Sequence, residues 1–147
     1  MIAMKRILRY LKGTMELGLN NSRSKRAELT AFSDADWARD IDERKSTSGG
    51  AFFLGENLVA WHSKKQESVS LSTAEAEYIA ASATCTQVLW MKRQLEDLGV
   101  KVEGPTPILC DNSSAINISK NQVQHSKMKH IDIRYHFLKD EVQKGTM

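Results

Sequence analysis

The stretch from Ser72 to Leu98 reads as one long helix closed by Gly99, and it separates two kinds of strand signal. Before it, Gly50-Ala51-Phe52-Phe53-Leu54 and Leu58-Val59-Ala60-Trp61-His62 flank Gly55-Glu56-Asn57, a turn signature that folds the chain into a hairpin. After it, Pro105 and Pro107 bracket the start of a short apolar strand, Ile108-Leu109-Cys110-Asp111. A hairpin supplies antiparallel strands, whereas a helical crossover brings the chain back parallel. The sheet must therefore be mixed and the domain α/β.

The other elements follow the same reading. Ile7, Leu8 and Leu11 share one face of a first helix that Gly13 stops. Met15, Leu17 and Leu19 alternate like a strand, and Asn20 to Arg26 is a polar, basic linker. The run Ala27 to Asp34 alternates again. Ser113 or Ser114 can cap a short helix reaching Lys120, and a last helix carries Ile131, Tyr135, Leu138 and Val142 on one face before Gly145. Trp61 and Trp90 are expected in the core, and Trp37 in the core or at a site wall.

Three carboxylates reach their elements by different routes. Asp34 ends an alternating strand, Asp111 closes the short apolar one, and Glu77 lies in the first turns of the long helix. Ser72-Thr73-Ala74-Glu75 is a capping box, so Glu75 has a structural task. Glu77, about 200° further round the helix, is left over. Asp36 shares a face with Asp34 if the strand continues, and the pair divides into ligand and rim, with Asp34 preferred. Asp111-Asn112, read alone, is equally a strand-to-helix turn with side-chain capping. Asp40, Asp42 and Glu43 are expected to face solvent. Clustered like charges repel, and divalent cations relieve that repulsion. Hard oxygen donors without a Cys or His cluster favour Mg2+ or Mn2+ over zinc.

The rest of the chain narrows the choice. At 147 residues it fits one domain, and no apolar run approaches the roughly 20 residues that span a bilayer. Met1 to Arg6 lacks a signal peptide's long apolar stretch, so an intracellular, reducing location in cytoplasm or nucleus is expected. Cys85 and Cys110 have no zinc-type spacing and read as reduced structural thiols. A net charge of +3 permits a polyanionic partner. Lys127, His130 and Arg134 share one side of the last helix and can hold phosphates, as can Lys64 and Lys65; a solvated basic face explains the same residues. His125, His130 and His136 do not face one another at helical offsets, so a zinc site there is not expected. No Gly-x-Ser-x-Gly elbow is present, which removes an esterase or protease reading.

Six segments in order resemble the ribonuclease H domain of copia-type LTR retrotransposon Pol polyproteins. They are Ser33 to Ala38, Arg44 to Gly50, Trp61 to Gln66, Leu71 to Tyr78, Cys110-Asp111-Asn112, and Lys129 to Phe137. Arg6 to Thr14 looks like the segment that joins reverse transcriptase to this domain. The resemblance implies residues 1–26 as that connecting segment and 27–147 as a ribonuclease H-like domain. It implies metal-dependent endonucleolytic hydrolysis of the RNA strand of RNA–DNA hybrids during reverse transcription. Asp34, Glu77 and Asp111 then match three of an acidic quartet that holds two Mg2+ or Mn2+ ions, about 3.5–4 Å apart. The partners implied are the hybrid, recognised across its minor groove, and the reverse transcriptase domain, with no membrane. In such domains a final strand and helix bring the fourth carboxylate, but this chain ends at Lys144 to Met147, with Asp132 as the nearby substitute. The expectation is a C-terminally incomplete domain of low activity; the alternative is a catalytically inactive nucleic-acid-binding remnant.

Overall fold

The computed structural model describes residues 1–19, 21–23, 28–120 and 137–147. Its elements are α1 (Ile2–Gly13), β1 (Leu29–Asp36), β2 (Thr47–Leu54), β3 (Asn57–Lys65), α2 (Thr73–Asp97), β4 (Ile108–Leu109), α3 (Ser113–Lys120) and α4 (Phe137–Gln143). The strands form one sheet in the order β3-β2-β1-β4. β1 and β3 each pair antiparallel with β2, and β4 lies parallel to β1. The mixed sheet that the helical crossover demands is present, and with its flanking helices it matches a ribonuclease H-like α/β topology.

Alternation along β1 sorts its side chains. Leu29 and Ala31 are buried, while Phe32 and Asp34 point to the opposite, exposed face. On the buried face Leu29, Ala31, Phe52 and Val88 form one cluster between sheet and α2. On the far side of α2, Tyr78, Ala81, Cys85, Ala115 and Leu138 form a second one with α3 and α4. The first half of α2 is thus covered on two sides, with Ala83 left exposed. Its alanines at 76, 80 and 81 suit this, since small side chains let neighbouring backbones approach closely.

Two tryptophans correct the sequence reading. Trp61 is 67% exposed and Trp90 is 56% exposed, so neither is in the core. Trp61 pairs across the sheet with Ala51, on the face turned away from α2. Trp90 sits between Leu89 and Met91, which pack on the two clusters, and its own side chain faces outward. The strand expected at Met15, Leu17 and Leu19 is absent: these residues are exposed and unpaired to the sheet, because alternation without a neighbouring edge makes no ladder. No residue of α1 is buried.

Local chemistry sets the ends. Ser72 Oγ accepts from the Glu75 N–H at 3.2 Å and caps α2. α3 is capped by Asn112 rather than by Ser113 or Ser114, its Oδ1 accepting from the Ala115 N–H at 3.0 Å. Asn112→Ala is accordingly expected to cost about 1 kcal/mol of stability, read as a lower urea midpoint at unchanged slope.

Candidate metal centre

Because β1 and β4 run parallel, their C-terminal ends meet at one edge of the sheet. Their register pairs Ala31 with Ile108 and Phe32 with Leu109. Continued by two residues, it sets Ser33 beside Cys110 and Asp34 beside Asp111. β4 itself stops at Leu109, so Asp111 stands just past the strand rather than closing it.

The start of α2 is tied to the same edge. Gln66 Nε2 donates to Ser48 Oγ at 2.9 Å and to the Ala76 carbonyl at 3.0 Å, while Ser70 Oγ donates to Gln66 Oε1. Trp37 Nε1 donates to the Ser70 carbonyl at 3.2 Å. This buried network locks the first turn of α2 onto β2 and the loop after β1. The two glutamates of that turn then divide as the cap requires. Glu75 Oε2 accepts from the Leu71 N–H at 2.8 Å and completes the cap. Glu77, only 6% exposed, reaches the strand ends instead. Its Oε1 accepts from the Ala35 N–H at 3.1 Å, and its Oε2 accepts from the Cys110 thiol at 3.9 Å.

One ligand atom each from Glu77, Cys110 and Asp111 lies within 4.8 Å of the others. Asp34, Cys110 and Asp111 line one cavity of about 620 Å³, together with Phe32, Leu109 and His62. The charges feel one another. Burial, first, pushes the Glu77 carboxyl above its ordinary value; the Ala35 N–H opposes this, and the Asp34 and Asp111 charges add to the rise. Burial also raises the Cys110 thiol. Glu77, Cys110 and Asp111 are thus a candidate three-ligand set for a divalent cation, while Asp34 lines the cavity beside Cys110 and Asp111 without joining that set.

No protein-family model matches the chain. The retrovirus-related Pol polyprotein from transposon RE2 of Arabidopsis thaliana is 42% identical over 145 residues, which is 99% of this chain and 10% of that protein. That from transposon TNT 1-94 of Nicotiana tabacum is 45% identical over 145 residues, 99% of this chain and 11% of that protein. The chain is homologous to retrotransposon Pol sequence. It spans about a tenth of the length of these Pol relatives. A shorter protein of Plasmopara viticola, named secreted RxLR effector protein 161, is 47% identical over 89 residues, covering 60% of this chain and 63% of that protein. Among the described residues, no helix is long and apolar enough to cross a membrane.

The remaining candidate residues are placed as follows. Asp36 is engaged by Arg39 at 2.8 Å, at the rim. Lys64 is exposed and lines a groove between β3 and α2. The Lys65 ammonium is held by Asp40 at 2.5 Å and Glu43 at 3.2 Å. Asp40 is thus not simply solvent-facing: it also accepts from the Asp42 and Glu43 N–H groups, and its carboxyl is pulled down to about 2, by the Glu43 N–H first and Lys65 next. Lys127, His130, Asp132 and Arg134 lie outside the described residues.

Two residues went unrecognised in the sequence as parts of the site. Cys85 is a buried structural thiol, as read, its pKa pushed up to about 12 by burial. Cys110 is not only structural, since it touches Glu77. The other is Ser33, whose Oγ is buried without a hydrogen-bond partner. Strand alternation would assign Ser33 and Cys110 to the face opposite Asp34 and Asp111. What alternation cannot supply is that Glu77 descends onto that face.

Proposed function

We propose that this chain is the ribonuclease H-like part of a retrotransposon Pol product, that it binds RNA–DNA hybrids, and that it cleaves them poorly or not at all. Residues 1–26 would be the segment connecting it to a reverse transcriptase. The observation that carries this reading is the composition of the tightest cluster: glutamate, cysteine and aspartate, with a thiol among the carboxylates. A thiol that stays protonated contributes no negative charge, so the cluster neutralises a hard cation less well than a wholly carboxylate set.

The donor set still fits Mg2+ or Mn2+. Asp34, Glu77 and Asp111 would hold the ion, and Ala35 N–H fixes one Glu77 oxygen in place. A bound cation supplies charge neutralisation at a phosphate and an activated water. The exposed Lys64 adds positive charge for a phosphate backbone. The second reading, hydrolysis of the RNA strand, is favoured by the mutual influence of Asp34, Glu77 and Asp111.

A labelled hybrid incubated with Mg2+, Mn2+ or EDTA separates the two. The expected result is binding that weakens steeply as salt rises, without cleavage in any condition. Cation-dependent cutting that disappears in Asp34→Asn would establish the nuclease reading instead. Absence of binding at low salt would remove both.

A further inference from the structure

Cys110 changes the kind of ion this cluster can hold. Ligands sharing one tetrahedral zinc, with Zn–S near 2.3 Å and Zn–O near 2.0–2.2 Å, stand roughly 3.5 Å apart. The Glu77, Cys110 and Asp111 donors already lie within 4.8 Å of one another, so side-chain movements on the order of an ångström close the set. Ser33 is an independent pointer to a ligand. It is 6% exposed, its Oγ has no hydrogen-bond partner, it lines the same cavity as Cys110 and Asp111, and the strand register sets it beside Cys110. A buried hydroxyl is rarely left unpaired, and an ion carrying its own water at this cluster would supply the partner.

We propose that Glu77, Cys110 and Asp111 form a mixed sulfur–oxygen site for a borderline-soft divalent cation of the zinc class, which competes there with Mg2+. The inference rests on the reading of this cluster as a cation site. On binding, a sulfur–metal bond forms as the S–H bond breaks and its proton passes to solvent; no group changes oxidation state. The exposed Asp111 carboxylate gives a hard ion its approach, and the thiolate gives a soft ion its advantage.

Co2+ is the probe, because a cobalt–thiolate bond produces a charge-transfer band that carboxylate and imidazole ligands do not. The full chain is expected to show that band at one Co2+ per chain, to lose it in Cys110→Ser, and to keep it in Cys85→Ser. Zn2+ should displace bound Mn2+, followed by electron paramagnetic resonance, at least about tenfold more effectively in the wild type than in Cys110→Ser. A wild type that binds Co2+ without the band, or a Cys110→Ser variant that retains it, overturns the inference. If the band is absent while Mn2+ still binds, the thiolate site falls and the cation reading stands. If Mn2+ fails to bind as well, both fall together. Circular dichroism of each variant shows that a lost band is not a lost fold.

Discussion

Glu77→Gln is expected to make the metal-free protein more stable at neutral pH while lowering its divalent-cation affinity by at least about a hundredfold. The affinity term follows from ligand chemistry. Loss of an outer-shell partner alone costs roughly ten- to a hundredfold, and loss of a charged ligand exceeds that. The stability term follows from linkage. Burial, and then the Asp34 and Asp111 charges, hold the folded Glu77 carboxyl above its ordinary value of 4.5. The folded state therefore binds that proton more tightly than the unfolded chain does. The resulting stability is complete below the ordinary carboxylate range and is lost as pH rises through the raised value. At neutral pH the ionised group opposes folding, and a neutral glutamine removes the penalty while its carbonyl can still accept from Ala35. Urea denaturation in EDTA across mildly acidic to neutral pH checks this, and a variant less stable than wild type at neutral pH would contradict it. With cation at a hundred times the wild-type dissociation constant, the wild type gains about 2.7 kcal/mol and the variant no more than about 0.4 kcal/mol, so added cation shifts the balance toward the wild type.

Tyr78→Ala is expected to cost about 3–5 kcal/mol, a large part of the roughly 5–15 kcal/mol that holds an ordinary domain together. Tyr78 is 1% exposed and packs with Ala81, Cys85, Ala115 and Leu138, where α2 meets α3 and α4. Removing its ring leaves a cavity between three helices one residue from Glu77, so cation binding should weaken along with stability. Trp61→Ala makes the contrast. Exposed on the open face of the sheet, it should change stability by no more than about 0.5 kcal/mol. Equal losses in the two variants, by denaturant midpoint, would show that the helical side is not the main core.

How much of this was legible depends on how local the cause was. The mixed sheet follows from a hairpin and a crossover, both short-range signals, whereas the strand order β3-β2-β1-β4 is set by tertiary pairing. The split between Glu75 and Glu77 was legible too, because capping geometry is local: Ser72 and Leu71 use Glu75, and Glu77 remains. The exposure of Trp61 and Trp90 was not, since it depends on which part of the sheet α2 crosses. Asp40 looked like one more loop acid until the fold brought Lys65 alongside it. Cys110 could be assigned a face by alternation, but its contact with Glu77 joins two elements 33 residues apart. Pairings of that kind are set by tertiary packing, and no periodicity records them.

The convergence of Asp34, Glu77 and Asp111 is tested most directly by titrating the isotope-labelled chain with Mn2+ and following its paramagnetic broadening of backbone amide signals. The account predicts that the earliest losses fall together on three separated stretches, around residues 34–36, 76–78 and 110–112. Broadening confined to the acids at 40–43, or present at one of the three stretches without the others, would contradict it.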